Sequence, residues 1–310
     1  LTKCNILGKA EFLNPGQSVK DRAALYIIKD AIKKKEINKN GIIVEGTAGN
    51  TGIGLTLVGN SFGLKSVIVM PKTQSDEKKN ELRSYGADLI LVPAVPYSNP
   101  KNYVRYSETL ANKIKIKNKG KKVLWANQFD NLANFKAHYE TTGPEIWKDT
   151  KGRIDGFVCS VGTGGTIAGT GCFLKKKNKK IKIGLVDPMG SALYNYYANG
   201  KLKSKGSSIT EGIGQSRITE NLKKAEIDES FQANDKEALK IVFDLLKEQG
   251  LVMGGSTGIN VIGAIKLAKK LGPGSTIVTI LCDYGTRYFS KIYNKKFLKS
   301  KKLPIPNWIK

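Results

Sequence analysis

Short runs of Ile, Val and Leu alternate along this chain with longer amphipathic stretches. The apolar runs lack a polar residue at every second position, which is typical of parallel strands buried on both faces. Strands are predicted at Gly41–Glu45, Ser66–Met70, Leu89–Val92, Val123–Ala126, Phe157–Val161, Ile183–Val186 and Thr276–Cys282. Helices are predicted between them, among others at Ala23–Lys35, Asp76–Tyr85, Ala238–Gln249 and Ile259–Leu271. This order predicts an α/β fold of β-α-β units around parallel sheet.

The chain is long enough for two such units. Its 310 residues can bury two α/β cores. A strand gives way to a polar turn over residues 127–133, and we expect a domain change there. The sequence therefore predicts an N-terminal α/β domain over residues 1–132 and a C-terminal α/β domain over residues 133–310.

The net charge of +26 raises the possibility of a nucleic-acid partner. Only six of the 52 basic residues are Arg, however, and the lysines are scattered over predicted helix faces and loops. Nucleic-acid readers depend on the bidentate fork of Arg, so the charge is better read as a Lys-rich solvated surface. No apolar run reaches the roughly 20 residues of a membrane span. We therefore expect neither a nucleic-acid nor a membrane partner.

Cysteine and histidine content argues against metal and hydrolase chemistry. The four cysteines lie far apart, and His138 is the only histidine. This predicts no metal site and leaves little room for a Ser-His-Asp hydrolase, so His138 is expected on a helix surface or in packing. A reduced cytoplasmic protein is the simplest expectation. Because no Met opens the chain, a leading segment is expected to be missing, and an organelle stays open.

Three segments place a turn rich in Gly and hydroxyl residues between an apolar run and a helix. They cover residues 46–52, 162–166 and 254–258. Such turns leave unpaired N–H groups at a helix N-terminus, where anions bind. None of them is a nucleotide signature, since Ile167 stands where a dinucleotide motif needs its third Gly. Together they predict a ligand with several anionic or polar ends.

A lysine stands near the N-terminus, in N-P-G-Q-S-V-K-D-R at residues 14–22. Ser18 is a candidate N-cap, with Asp21 at the position that completes a capping box. Lys20 would then lie in the first helical turn, where the positive potential lowers the pKa of an amine. A lower pKa helps a lysine that forms a Schiff base.

The segment P-G-Q-S-V-K-D-R resembles the P-G-G-S-V-K-D-R lysine motif of cysteine synthases and cystathionine β-synthases. Further likenesses follow in the same order: T-A-G-N-T-G at residues 47–52, Q-F-x-N-x-x-N at 128–134, T-T-G-P-E-I-W at 141–147, G-T-G-G-T at 162–166, E-G-I-G at 211–214 and G-S-T-G at 255–258. The chain is thereby identified as a member of this fold-type II family of pyridoxal-phosphate enzymes, in a cysteine-synthase-like subgroup. The resemblance implies two open, mostly parallel twisted sheets flanked by helices, a cofactor in the cleft between domains, and a homodimer.

The resemblance also implies site residues. Lys20 would bind pyridoxal 5′-phosphate covalently and act as the catalytic base, Asn50 would bond the 3′-oxygen of the cofactor, and Ser256 would face its ring nitrogen. The cofactor phosphate would be bound by Gly162, Thr163, Gly164, Gly165 and Thr166. The substrate carboxylate would be bound by Thr47, Ala48, Gly49, Asn50, Thr51 and Gln128.

The implied reaction is β-replacement, which makes cysteine from O-acetylserine, or a related activated serine, and sulfide or a thiol. A cysteine desulfhydrase or a cystathionine β-synthase-like activity is the alternative in the same fold, and a non-catalytic binding subunit is disfavoured because Lys20 is intact. Three departures stand out: Gln17 replaces the second Gly of P-G-G-S, Ala48 replaces Ser, and an upstream G-N-T-P-L-type segment is absent. Gln17 is expected to alter a turn, and Ala48 removes a hydroxyl near the substrate. The absent upstream segment would expose the entrance side of the site and change the dimer packing.

Overall fold

Two separate parallel β-sheets organise the chain. The computed structural model describes residues 2–309. Its strands are β1 (Asn5–Ala10), β2 (Ile42–Gly46), β3 (Lys65–Pro71), β4 (Asp88–Val92), β5 (Val123–Trp125), β6 (Gly156–Cys159), β7 (Lys182–Pro188), β8 (Glu229–Ala233) and β9 (Thr276–Leu281). All seven predicted strands are present, with ends shifted by at most two residues. The predicted α/β class with two parallel sheets is confirmed.

The four-stranded sheet has the order β4-β3-β2-β5, and every strand pair in it is parallel. Its helices are α1 (Lys20–Lys33), α2 (Asn50–Ser61), α3 (Asp76–Ser84) and α4 (Tyr103–Lys117). Helices α1 and α2 pack against each other, and α4 packs on β2 and β3. The apolar faces of α1 and α2 meet β2 in one buried cluster that includes Ile27, Ile28 and Ile43.

The five-stranded sheet has the order β1-β9-β6-β7-β8 and is also parallel throughout. Seven helices belong to this half: α5 (Ala133–Ala137), α6 (Gly143–Asp149), α7 (Gly165–Lys177), α8 (Leu193–Asn199), α9 (Asp235–Gln249), α10 (Gly255–Leu271) and α11 (Lys295–Ser300). A single π-helical turn, His138–Thr142, joins α5 to α6. Helix α10 packs on β6, β7 and β9, and the largest buried cluster lies between this sheet and α7.

Strand β1 departs from the predicted division at residue 132. It pairs with β9 from Asn5 to Ala10, so a strand from the N-terminal part of the chain contributes to the sheet of the C-terminal half. The sequence did not reveal this because β1 is an edge strand with a half-exposed, mixed composition. The chain then crosses to the four-stranded half at α1.

An ion-pair network fastens the two halves where the chain crosses. The Arg22 guanidinium donates to both carboxylate oxygens of Glu145, at 2.8 and 2.7 Å, and to both of Glu11, at 2.7 and 2.8 Å. Arg22 lies on α1 and Glu145 on α6, so the fork of one Arg spans both halves. Over residues 2–309, none of the helices has the length and apolar character that crossing a membrane demands.

Candidate active site

Lys20 is the first residue of α1 and lies beside the carboxyl end of the five-stranded sheet. Just before it, Ser18 and Asp283 form an isolated antiparallel bridge, and the N–H of Val19 donates to the Cys282 carbonyl at 2.9 Å. The segment after β9 thus holds the lysine segment directly. Open α/β folds bind ligands at such strand ends.

The start of α1 differs in detail from the prediction. Its N-cap is Val19, with no side-chain cap, whereas the sequence predicted a capping box of Ser18 and Asp21. The Ser18 hydroxyl instead accepts from the N–H of Lys20 at 3.3 Å, and the Asp21 carboxylate accepts from the N–H of Gly16 at 2.6 Å. Burial raises the pKa of Asp21 to about 6, although the bond from Gly16 opposes this. The capping box as predicted is wrong, while the place of Lys20 in the first turn is confirmed.

Gln17, which stands where the resembling motif has Gly, keeps a glycine-like backbone. Its φ is +57°, in the left-handed region. For a residue with a Cβ this region costs about 1–2 kcal/mol. The turn before Lys20 therefore has a backbone that glycine adopts readily and that strains Gln17.

The turn from β2 into α2 carries the T-A-G-N-T-G segment. Gly49 has φ of +135°, and its N–H donates to the hydroxyl of Thr47 at 3.0 Å. A Cβ at Gly49 would lie 2.6 Å from Cδ of Lys78, so both backbone and space require glycine there. Helix α2 begins at the next residue, Asn50, and its first N–H groups form the end of a helix dipole that attracts anions.

Gln128 links this turn to a buried carboxyl group. The Thr51 hydroxyl donates to Oε1 of Gln128 at 2.5 Å, and Nε2 of Gln128 donates to Oε1 of Glu45 at 2.9 Å. Burial raises the pKa of Glu45 to about 8, although the bonds from Gln128 oppose this. Since the Gln128 oxygen is taken by Thr51 and its nitrogen by Glu45, the amide has one fixed orientation.

The G-T-G-G-T loop passes close to Lys20, and the backbone of Gly212 leaves no room for a side chain at its first position. A Cβ at Gly162 would lie 2.3 Å from the carbonyl oxygen of Gly212 and 3.9 Å from Nζ of Lys20. Gly164 has φ of +87°, and α7 begins at Gly165. The lysine amine therefore lies near the first residue of a loop that leads into the N-terminus of a 13-residue helix.

Each of the two Thr hydroxyls of this loop has a side-chain hydrogen-bond partner. Nδ2 of Asn134 donates to the Thr163 hydroxyl at 2.8 Å. The ring of His138 bridges two more hydroxyls, with Nε2 3.2 Å from Oγ1 of Thr166 and Nδ1 2.9 Å from Oγ1 of Thr142. Burial lowers the pKa of His138 well below its ordinary value. His138 is a packing residue in a π-helical turn, as one of the two expected placements had it, and it is not on the surface.

One cavity of about 580 Å³ contains most of the site residues predicted from the sequence. Those that line it are Lys20, Thr47, Ala48, Gly49, Asn50, Thr51, Gln128, Gly162, Thr163 and Ser256. The other three, Gly164, Gly165 and Thr166, do not line it but continue the loop into the first turn of α7. Residues from both halves of the chain therefore surround one space.

Sequence reasoning missed a buried ion-pair cluster at the rim of this cavity. Glu211 binds Lys78 at 2.7 Å and also pairs with Lys291. Burial opposes ionisation of Glu211, but the two ammonium groups outweigh it and hold its pKa below the ordinary value. Glu211 was recognised only within the E-G-I-G motif, and nothing in the sequence paired it with Lys78.

Two further residues, Asp283 and Arg287, were also missed, although both are almost fully buried and both contact Asn50. No site residue was predicted in their segment, C-D-Y-G-T-R-Y at residues 282–288. Only the structure shows the signal that identifies them, the burial of an Arg and an Asp in one short segment. Such charges are rarely buried without partners.

Comparisons with known proteins agree with this architecture. The profile of the family described as "Pyridoxal-phosphate dependent enzyme" matches residues 1–283. A Neurospora crassa protein named "Cysteine synthase 1" is 50% identical over 97% of this chain and 80% of its own length.

Two solved structures share the fold. The O-acetylserine dependent cystathionine beta-synthase from Helicobacter pylori has a TM-score of 0.85 and 36% identity, covering 94% of this chain and 90% of its own. A hydrogen sulfide-producing enzyme from Fusobacterium nucleatum has a TM-score of 0.81 and 35% identity, covering 93% of this chain and 92% of its own. With its lysine and its glycine loops gathered at one cavity, the chain belongs to the cysteine synthase and cystathionine β-synthase family of pyridoxal-phosphate dependent enzymes.

Proposed function

We propose that this enzyme makes cysteine by exchanging the β-substituent of O-acetylserine, or of a related activated serine, for sulfide. The observation that carries the proposal is the position of the Lys20 amine, beside Gly162 and in the same cavity as the start of α2. A relative with half of its residues identical is named a cysteine synthase. The proposal therefore combines a reactive amine with a site for an amino-acid carboxylate.

The residues around the cavity fit pyridoxal phosphate. The loop at the start of α7 offers N–H groups and hydroxyls to a phosphate, and the glycines leave room for close approach. Lys20 lines the same cavity as Gly162 and Thr163 of this loop, and its amine would hold the aldehyde of the cofactor. Ser256, in the first turn of α10, lines the same cavity. We assign the phosphate to Gly162–Thr166, the 3′-oxygen to Asn50 and the ring nitrogen to Ser256.

The protein residues then divide the work of the reaction. The cofactor supplies an electron sink for the charge that develops when the α-proton leaves. Ser256 presents a neutral hydroxyl to the ring nitrogen, which keeps the sink mild and favours β-elimination over transamination. The amides of Thr47–Thr51, with Gln128 behind them, bind the substrate α-carboxylate. Lys20, which would hold the cofactor, would also act as the general base that takes the α-proton of the substrate.

A second activity, release of sulfide from cysteine or a cystathionine β-synthase-like replacement, is favoured by the two solved structures. One of these proteins is described as a hydrogen sulfide-producing enzyme, and the other as an O-acetylserine dependent cystathionine beta-synthase. Ala48, which stands where the resembling motif has Ser, lines the cavity and offers no hydroxyl to the nucleophile or the leaving group.

The test compares three reactions on one preparation reconstituted with pyridoxal phosphate. We expect kcat/KM to be highest for O-acetylserine with sulfide, lower for cysteine alone and lower for serine with homocysteine. A higher kcat/KM for cysteine alone would make the protein a desulfhydrase. A protein that turns yellow with the cofactor but converts none of the substrates would be a binding subunit.

Lys20→Ala provides the matched control for the cofactor itself. We expect the variant to lose the yellow colour of the lysine-bound cofactor together with all activity. Lys236→Ala, on the exposed start of α9, removes an equal charge and should keep both. If the Lys20→Ala protein keeps a covalently bound yellow cofactor, another lysine performs this role.

We also propose that the enzyme is a homodimer. Strand β1 is an edge strand of the five-stranded sheet, and Leu7 on it and Leu13 just after it are 45% and 68% exposed. An open strand edge with large exposed apolar side chains is suited to a second protein surface. Light scattering on protein eluted from a size-exclusion column measures the molar mass. Leu13→Lys should lower this mass toward that of the monomer.

Domain division and compartment complete the proposal. We propose two units that meet near residue 132, with β1 added to the second unit. We propose a cytoplasmic location, because the four cysteines are all free. A fluorescent fusion of the complete gene product, placed at its C-terminus, tests the location.

A further inference from the structure

The side-chain amide of Asn50 is held at both ends by charged residues. Its Nδ2 donates to Oδ2 of Asp283 at 2.6 Å, and its Oδ1 accepts from NH1 of Arg287 at 3.2 Å. A guanidinium only donates and a carboxylate only accepts. The amide oxygen must therefore face Arg287 and the amide nitrogen must face Asp283. The orientation of Asn50 is fixed by charge.

Arg287 is itself held from two directions. Nε and NH2 donate to the two carboxylate oxygens of Glu81 on α3, at 3.0 and 2.7 Å, and NH2 also donates to the carbonyl of Gly16. The Arg287 side chain is only 2% exposed. It therefore connects α3, the turn before Lys20 and the start of α2 through one rigid group.

Asp283 is equally constrained. Its Oδ2 accepts a second bond from the Tyr288 hydroxyl at 2.6 Å, and its Oδ1 is buried without a partner among residues 2–309. The residue is 1% exposed, and its backbone bridges to Ser18 in the lysine segment. A buried carboxylate with one unsatisfied oxygen is costly, which argues for a role other than stability.

The bond to Asp283 uses one of the two hydrogens on Nδ2 of Asn50. The second N–H has no hydrogen-bond partner within residues 2–309, and Asn50 lines the cavity. We propose that Asp283 and Arg287 are positioning residues, which fix the Asn50 amide so that its second N–H points at the 3′-oxygen of the cofactor. The inference rests on the proposed function, because that function supplies the cofactor.

This arrangement has a spectroscopic consequence. The bound cofactor is yellow when its 3′-oxygen has lost its proton, and a hydrogen-bond donor stabilises that form. With Asn50 free to turn, its amide oxygen can face the 3′-oxygen instead, which disfavours the yellow form. Asp283 itself also lines the cavity, so the positioning role requires that its effect on colour and cofactor affinity depend on Asn50.

The experiment is a double-mutant cycle with Asp283→Asn, Asn50→Ala and the two combined, each reconstituted with pyridoxal phosphate. For Asp283→Asn we expect half-maximal colour to require roughly tenfold more cofactor. The reason is that Asn50 loses its hydrogen bond to a charged oxygen, and with it the orientation of its amide. Part of the visible band should move to the near ultraviolet. In the Asn50→Ala background, Asp283→Asn should change neither quantity.

Asp187→Asn is the matched control. Asp187 is another fully buried aspartate with one unpartnered oxygen, but it accepts from the N–H of Tyr194 and does not line the cavity. It should lose similar stability and leave the spectrum unchanged. Equal effects of Asp283→Asn with and without Asn50, or no effect at all in a yellow wild-type protein, would overturn the positioning role. A colourless wild type would instead count against the proposed function.

Discussion

His138 offers the sharpest test of the electrostatics around the cofactor loop, because it is the only histidine in the chain. Its ring is buried between the hydroxyls of Thr142 and Thr166, and burial depresses its pKa well below the ordinary 6.5. The unfolded chain therefore binds a proton on lowering the pH through 6.5, whereas the folded protein does not. Below that pH the free energy of unfolding must fall.

The size of the effect follows from linkage. Each pH unit below 6.5 costs the folded state about 1.4 kcal/mol until the folded-state pKa is reached. Between pH 7 and pH 5 the contribution of His138 is therefore at most about 2 kcal/mol, the value reached if the ring stays neutral throughout that interval. His138→Gln removes this term, and it also leaves the buried Thr142 hydroxyl without its partner at a cost of about 1–3 kcal/mol at every pH.

Urea denaturation of tag-free wild type and His138→Gln at the two pH values measures the effect. We expect the stability difference between the two proteins to be smaller at pH 5 than at pH 7, by up to about 2 kcal/mol. Ile27→Val, a buried change without a titratable group, should give a difference that is the same at both values. A pH-independent difference for His138→Gln would refute the buried neutral imidazole. Nitrogen NMR of the single labelled ring should likewise show a neutral imidazole at both pH values.

Three further predictions concern buried or strained groups. The pKa of Glu45 is about 8 in the folded protein and 4.5 in the unfolded chain, so Glu45 contributes its full stabilisation below pH 4.5. As the pH rises toward 8, this contribution falls by about 1.4 kcal/mol per pH unit. Glu45→Gln should flatten that part of the curve of unfolding free energy against pH, measured by urea denaturation. Gln17→Gly should raise the free energy of unfolding by roughly 0.5–1 kcal/mol, because relief of the left-handed strain exceeds the entropy of the added glycine; a loss of stability would contradict the strain. Lys78→Met should cost up to ~3 kcal/mol by leaving Glu211 with one cation, and Glu211→Gln in that background should recover part of it; additive losses would show that the two groups do not interact.

The sequence predicted the parts of the site that a short motif determines. Lys20 and the three glycine turns lie where their local patterns required, because a helix start and a positive φ are properties of a few neighbouring residues. Contacts between distant segments were out of reach: Lys78 and Glu211 are 133 residues apart, and only the fold brings them together. Strand β8 was missed because Glu229–Ala233 is polar and half-exposed, unlike the buried strands beside it.

The pairing of β1 with β9 has a consequence for cutting the chain in two. A break in the turn near residues 127–133 would leave β1, Lys20 and the four-stranded sheet on the first fragment, and the other four strands of the second sheet on the other. The two fragments would then be joined by the pairing of β1 with β9 and by the ion pair between Arg22 and Glu145. Such a cut should yield complementing fragments, with reassembly reported by the return of the cofactor's colour.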